Sequence, residues 1–253
     1  RVVVFGTPDE ERTSGKVNFV EAHAFDNIDA VIMCHPCTES EESGTTLGLG
    51  ALQFEFRGIS AHAALPKEDC RNALDALVMS YLNINNLKQY IPGANIYGII
   101  DNGGSRPNII PDYASMKYYI RAASKKKLQE YMDRVAGCVR HTARASGVSV
   151  DVTEFENRVE GLVTNHTLSD VFKENYEKLT TLRLKKPETY AATSDIGNVS
   201  NVVPTIHSWI GITSAGGPAL HNPEFTDATM TDFAAGEMLS AAVAMAQTGD
   251  QVI

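Results

Sequence analysis

Cysteine is scarce in this chain, and no hydrophobic run is long. Four cysteines among 253 residues are too few for a disulfide-stabilised scaffold and fit a reducing compartment. No apolar stretch approaches the roughly 20 residues that a membrane span requires, and the start of the chain does not resemble a signal peptide. We therefore expect a cytoplasmic globular protein that has no membrane partner.

Positive charge is also in short supply. The chain has 22 Lys and Arg residues against 31 Asp and Glu residues, a formal net charge of −9, and it contains no basic run. A surface of this charge repels polyanions, so nucleic acid is excluded as an expected partner.

Cys34 and Cys37 form a C-x-x-C arrangement around His35. The segment is typical of a strand end and lacks a following thioredoxin-like helix, which favours unlinked, buried thiols. A redox pair is the alternative, and it would require function to disappear when both cysteines are replaced by Ser.

The chain opens directly on an apolar run, Val2–Phe5, which is typical of a buried parallel strand. Because Arg1 precedes this run without an initiator Met or a polar leader, we expect a domain whose upstream part is missing. After a Gly-Thr-Pro turn come two adjacent carboxylates, Glu10 and Glu11. The doublet is either a solvated surface pair or part of a site, since ligands bind beyond the carboxyl ends of strands in open α/β sheets.

The middle of the chain has a different periodicity. Residues 49–157 read as β-α-β-β-α-β, with apolar residues at spacings of three and four in the second helix, Lys126 to Ala145. This order predicts a ferredoxin-like module, in which two helices cover one face of an antiparallel sheet. The flanking residues 1–48 and 158–253 then form an α/β sheet domain that the module interrupts, closed by a helix from Thr226 to about Gln247.

Three predicted strands of the flanking domain end near side chains that can bind a metal. These side chains are Glu10 and Glu11, then His35, and then His221. Carboxylate and imidazole ligands suit zinc, manganese or cobalt, and ligands gathered from distant loops are typical of a catalytic site. Each residue alone is equally well structural, so the metal site is predicted from their convergence at one sheet edge.

Six sequence blocks occur along nearly the whole chain: Gly6–Glu11, Met33–Pro36, Gly58–Ala64, Asn108–Pro111, Ser194–Ser200 and His221–Phe225. In this order they resemble the aminoacylase and carboxypeptidase family of co-catalytic metallopeptidases. Within that family the chain is most similar to the amidohydrolase branch, which includes aminobenzoyl-glutamate hydrolases and β-alanyl or Xaa-Arg dipeptidases.

The resemblance implies a metal-dependent hydrolase that cleaves the amide bond of N-acyl amino acids or small dipeptides. It implies two divalent metal ions, zinc first and manganese or cobalt as alternatives, with Glu11, His35 and His221 among their ligands. Glu10 matches the general base and acid, which takes a proton from the attacking water and returns it to the leaving amine.

The resemblance also implies that residues 49–157 form a lid, which pairs with the lid of a second copy in a homodimer. His62 matches a residue that reaches the other subunit's active site and stabilises the oxyanion. Asn108 and Arg121 match residues that hold the amide and carboxylate of the substrate, and Gly216 and Gly217 could offer N–H groups to a carboxylate. Without the resemblance, each of these residues also has a structural explanation. The histidine could be a packing residue, the asparagine and the glycines could form turns, and the arginine could be solvated on a strand.

The chain departs from the family pattern upstream of the glutamate doublet. Relatives carry a His or Cys-x-His there and usually a bridging acidic residue, and this sequence contains neither. We therefore expect a truncated fragment that binds metal weakly and has little activity when isolated. The alternative, from a different class, is a catalytically inactive dimerisation module of the same fold.

Overall fold

The structure, a computed structural model, describes residues 1–65, 68–187, 193–214 and 216–252. The chain divides into two compact units: unit 1 comprises Arg1–Thr46 and Glu160–Ile253, and unit 2 comprises Leu47–Val159. The catalytic and lid roles predicted for these two parts stay predictions.

The described chain contains both helices and strands, and several strands or helices follow one another directly. In chain order, the helices are α1 (Lys16–Glu21), α2 (Ala73–Leu87), α3 (Lys125–Ala145), α4 (His166–Leu179), α5 (Ile196–Ser200), α6 (Pro223–Ala228) and α7 (Asp232–Val252). The strands are β1 (Val31–Cys37), β2 (Gly48–Arg57), β3 (Ala61–His62), β4 (Asn95–Asn102), β5 (Ile109–Ile110), β6 (Tyr113–Ala122), β7 (Ser149–Glu154) and β8 (Thr205–Gly211). No helix within the described ranges combines the length and hydropathy that crossing a membrane needs.

Unit 2 contains a sheet whose strands lie in the order β4-β6-β2-β7, with every neighbouring pair antiparallel. Along the chain its main elements follow as β2, α2, β4, β6, α3 and β7. The predicted ferredoxin-like β-α-β-β-α-β module and the α/β fold class are therefore confirmed. A separate short ladder joins β3 to β5.

The core of unit 2 lies between this sheet and its two long helices. Phe54 and Phe56 of β2 and Met116 of β6 are fully buried in one cluster with Leu128 and Val135 of α3. Strand alternation and helical spacing bring these apolar side chains to one interface, where each contributes roughly 1.5–3 kcal/mol by burial.

Unit 1 is built on β1 and β8, a parallel pair in which Val31 lies opposite Thr205. Ile206 and Ile210 of β8 pack in one cluster with α4 and α7, whereas Met33 of β1 packs in another with α1 and α5. Because the strands are parallel, their carboxyl ends lie at the same edge of the pair, and His35 lies near that end of β1.

The predicted buried strand at Val2–Phe5 is wrong. The segment has no strand partner among the described residues, and Val2 and Val4 are 89% and 90% exposed. A strand forms only when its backbone groups find a neighbouring ladder, and β1 and β8 pair with each other rather than with this segment. Phe5 alone is anchored, with its ring 4.7 Å from the ring of Phe25.

The single closing helix predicted from Thr226 is also wrong, because the structure has two helices there. α6 ends at Ala228 and α7 begins at Asp232. The hydroxyl of Thr231 accepts a hydrogen bond from the N–H of Ala234 at 3.1 Å. This bond satisfies one of the free N–H groups of a new helix and so starts α7 at this point.

Candidate functional site

The glutamate doublet lies in a tight turn of unit 1. Asp9 has a positive φ of 64°, and its carbonyl oxygen accepts hydrogen bonds from the N–H groups of Thr13 and Ser14 at 3.1 and 3.0 Å. The Asp9 carboxylate also accepts a hydrogen bond from the Thr13 hydroxyl at 2.7 Å. Aspartate tolerates this left-handed conformation better than most residues, so the turn that carries Glu10 and Glu11 is locally defined.

Two of the predicted metal ligands meet at this turn. The carboxylate Oε1 of Glu11 lies 3.7 Å from Nε2 of His221, and both side chains are largely exposed. His221 itself has a positive φ of 65°, which is uncommon for a residue with a side chain, although histidine adopts it more often than most.

His35, the third predicted ligand, lies near the carboxyl end of β1. Its Nδ1 lies 2.8 Å from the carbonyl oxygen of Pro36. Because a carbonyl oxygen can only accept a hydrogen bond, this contact favours the tautomer in which Nδ1 is the donor. The proton is then on Nδ1, and the lone pair of Nε2 is free for a cation. The ring of Trp209 packs edge-on at 4.7 Å between centroids and limits rotation of the imidazole.

A second histidine, His207, is buried beside His35. It is 2% exposed, and neither ring nitrogen has a hydrogen-bond partner among the described residues. Its ring centroid lies 5.0 Å from that of Trp209 and 5.8 Å from that of His35. Burial, reinforced by His35 and by Lys16, lowers the pKa of His207 to about 3, so the imidazole is neutral at ordinary pH.

A buried ion pair lies behind the glutamate turn, and sequence reasoning missed it. The ammonium of Lys16 lies 2.8 Å from Oδ1 of Asp195, with side chains 7% and 0% exposed. The backbone N–H of Lys16 donates to Oδ2 of the same carboxylate at 2.9 Å. Nothing local in the sequence reveals that a lysine 179 positions earlier is buried against Asp195.

The donors present fit a divalent cation in part. Two ligands of a tetrahedral zinc, each about 2.0–2.2 Å from the ion, lie about 3.3–3.6 Å apart. The 3.7 Å between Glu11 and His221 is close to that separation, whereas His35 forms no metal-binding group with these two residues in the described part of the chain. Within the described ranges, no group of three or more His, Cys, Asp and Glu side chains could hold a metal ion, so Glu11 and His221 form a partial site.

In unit 2, two other predicted site residues are neighbours. β3 pairs with β5 so that His62 lies opposite Ile109, and the N–H of Ala63 donates to the carbonyl oxygen of Asn108 at 2.9 Å. His62 is exposed, and its Nδ1 accepts a hydrogen bond from the N–H of Ala64 at 3.2 Å. The neutral ring therefore carries its proton on Nε2, as a donor to an oxyanion requires.

The remaining predicted residues are dispersed. Arg121 is half-buried on β6, between Leu49 of β2 and Asn95 of β4. Gly216 is exposed, with a positive φ of 79°. The N–H of Gly217 donates to the carbonyl oxygen of Ser214 at 2.9 Å, so it closes a turn in this structure and is not free for a carboxylate.

The C-x-x-C arrangement does not form a redox pair. Cys34 and Cys37 are free thiols in β1, and residues three apart in a strand point to opposite faces of the sheet. Burial raises the pKa of Cys34 to about 12, so it has almost no reactive thiolate. The sequence-based preference for unlinked thiols agrees with this geometry.

The chain belongs to the peptidase family M20/M25/M40, whose model matches residues 1–245. The family resemblance drawn from the six sequence blocks is thereby confirmed.

The curated relatives are peptidases and amide hydrolases by name. An Xaa-Arg dipeptidase of Mus musculus is 36% identical over 100% of this chain and 59% of its own length. A p-aminobenzoyl-glutamate hydrolase polypeptide from Escherichia coli K12 is 32% identical over 66% of this chain and 35% of its own length. The chain thus spans about three fifths of the length of the dipeptidase.

Solved structures share the fold at low sequence identity. A putative aminohydrolase from methicillin-resistant Staphylococcus aureus has a TM-score of 0.74 at 14% identity, covering 94% of this chain and 64% of its own. A Bacillus subtilis protein described as a dinuclear metal binding peptidase from the M20 family has a TM-score of 0.69 at 17% identity, covering 98% and 64%.

Proposed function

We propose that this chain provides the catalytic carboxylates of a metal-dependent hydrolase that cleaves the amide bond of small N-acyl amino acids or dipeptides. The observation that carries the proposal is the meeting of Glu11 and His221, which come from opposite ends of the chain and lie 3.7 Å apart. Family membership supports it, as do the names of a dipeptidase and an aminobenzoyl-glutamate hydrolase among the relatives.

Glu11, His221 and His35 would be among the ligands of two divalent ions, zinc first and manganese or cobalt as alternatives. When bound, such ions supply a water molecule of lowered pKa. Glu10 adjoins Glu11 in the same turn and is half-buried. It would take the proton of the attacking water and deliver it to the leaving amine nitrogen.

Residues of unit 2 would bind the substrate. The Nε2–H of His62 is the donor that an oxyanion needs, and Asn108 lies beside it through the β3–β5 ladder. Arg121 would pair with the substrate carboxylate as a two-pronged donor. Gly216 remains a candidate backbone donor. This set favours an amide next to a free carboxylate, as in N-acyl amino acids and dipeptides.

A homodimer through unit 2 is part of this proposal. β4 is an edge strand that exposes Tyr97 and Ile99, and helix α2, which packs on the adjacent strand β6, exposes Val78 and Leu82. An exposed apolar edge invites another strand. A second copy could pair its β4 antiparallel to the first across a two-fold axis, which would continue the sheet. Sedimentation should detect a dimer that Ile99→Lys weakens.

The central test replaces Glu10 by Gln in the full-length protein loaded with zinc, manganese or cobalt. Loss of the proton carrier should lower kcat about 10²–10⁴-fold toward N-acyl amino acids and dipeptides, while bound metal stays unchanged. Glu224→Gln is the matched control, because Glu224 is an exposed residue in the first turn of α6. Full activity of Glu10→Gln would contradict the assignment. A full-length wild-type protein that binds metal and hydrolyses none of these substrates would favour the inactive dimerisation module.

A further inference from the structure

Both carboxylate oxygens of Asp195 contact Lys16, one through its ammonium and the other through its backbone N–H. Oδ1 is 2.8 Å from the Lys16 ammonium, and Oδ2 accepts the Lys16 backbone N–H at 2.9 Å. Lys16 is the first residue of α1, and Asp195 directly precedes α5. The contact therefore fixes both the side chain and the backbone of the residue at which α1 begins.

An ion pair this deeply buried adds little net stability to the contact between α1 and α5. Removing two charges from water offsets most of their mutual attraction, and well-packed apolar residues at such positions are often as stabilising or more so. Its specific advantage is directional, because a bidentate, charge-assisted contact has one geometry whereas an apolar contact has many.

The position of Lys16, which Asp195 fixes, also constrains the glutamate turn through the short segment that connects them. Only four residues separate Glu11 from Lys16, and the segment between them is closed. A Cβ at Gly15 would lie 2.1 Å from the carbonyl oxygen of Pro8, so the backbone after the turn already lies against the backbone before it. A displacement of Lys16 would therefore move Glu11 relative to His221.

We propose that Asp195 is a positioning residue that acts through Lys16 to keep Glu11 within ligand distance of His221. This inference rests on the proposed function, since it assumes that Glu11 and His221 share a cation. Asp195 touches neither the cation nor the substrate. Partners that orient metal ligands from behind typically change metal affinity 10–100-fold when they are removed, and we expect an effect of that size here.

The test measures zinc and manganese dissociation constants by chelator competition, at a temperature where every variant is folded. Asp195→Asn should weaken binding 10–100-fold, because the amide keeps the shape but loses the charged second acceptor. Glu237→Gln is the matched control: its carboxylate is also buried in unit 1, on α7, and accepts hydrogen bonds from Tyr176 and Thr180 at 2.6 and 2.7 Å. It should lower the unfolding temperature while leaving metal affinity within about twofold.

A double variant separates positioning from stability. Lys16→Met with Asp195→Leu should restore the unfolding temperature toward that of the wild type, because no charge is left buried alone. It should not restore metal affinity. The proposal is overturned if affinity follows the unfolding temperature across all variants, Glu237→Gln included, or if Asp195→Asn binds metal like the wild type.

Glu11→Ala distinguishes failure of this inference from failure of the proposed function. If Glu11→Ala weakens metal binding and Asp195→Asn does not, the metal site stands and the positioning role falls. If Glu11→Ala binds metal like the wild type, both are overturned.

Discussion

Replacing His207 with Phe should make the protein more stable, although it removes a polar side chain from a well-packed strand. The two ring nitrogens are buried without partners among the described residues, and each such group costs about 1–3 kcal/mol. Phe keeps the aromatic contact with Trp209. Its ring is slightly larger than imidazole, and the resulting overpacking should cost less than the about 1–3 kcal/mol that is typical of an overpacked core. We expect a net gain of about 1–2 kcal/mol at pH 7, or a rise in Tm of about 2–8 °C.

The pH dependence gives this prediction a sharper form. The pKa of His207 is lowered to about 3 in the folded chain, against about 6.5 in an unfolded one. Between these values the unfolded state binds more protons, so wild-type stability is complete above about pH 6.5 and falls as the pH is lowered. The slope approaches about 1.4 kcal/mol per pH unit. The advantage of His207→Phe should therefore grow by about 2 kcal/mol from pH 6.5 to pH 5.

Urea unfolding followed by circular dichroism, with a chelator present, measures both effects. His166→Phe is the control, because His166 is exposed at the start of α4 and should leave the pH dependence unchanged. The reasoning is refuted if His207→Phe is less stable than the wild type at pH 7, or if the difference between them is the same at pH 5 and pH 7.

Three further predictions concern the scaffold. Asn165→Ala removes the side chain that accepts the N–H of Leu168 at 3.0 Å, and it should lower the free energy of unfolding by about 1 kcal/mol in urea; an unchanged midpoint would contradict the capping role. Gly58→Ala places a Cβ 2.0 Å from the carbonyl oxygen of Arg71, so limited proteolysis should cleave unit 2 faster than in the wild type, and equal rates would show that the backbone yields easily. The thiol of Cys34, whose pKa burial raises to about 12, should react with a thiol reagent at pH 8 only after unfolding, and rapid labelling of the native chain would count against its burial.

The fold of unit 2 was predictable from sequence because its signals are local. Alternation in β2 and the three- and four-residue spacing in α3 put apolar side chains on one face wherever those elements form. The order of the elements then leaves few topologies, and the ferredoxin-like arrangement is one of them. The same local character explains the error at Val2–Phe5, since an apolar run predicts a strand but says nothing of whether a neighbouring strand is there to pair with it.

The sequence by itself determined which residues are candidates for chemistry: the glutamate doublet, His35 and His221 are recognisable by type, order and surroundings. Only the tertiary structure decided which of them meet, with Glu11 beside His221 and His35 apart from that pair. It alone revealed the burial of His207 and the pairing of Lys16 with Asp195, 179 positions away. The physical reason is that residue type and spacing set local conformation, whereas burial and charge pairing depend on neighbours that are distant in the chain and become adjacent only on folding.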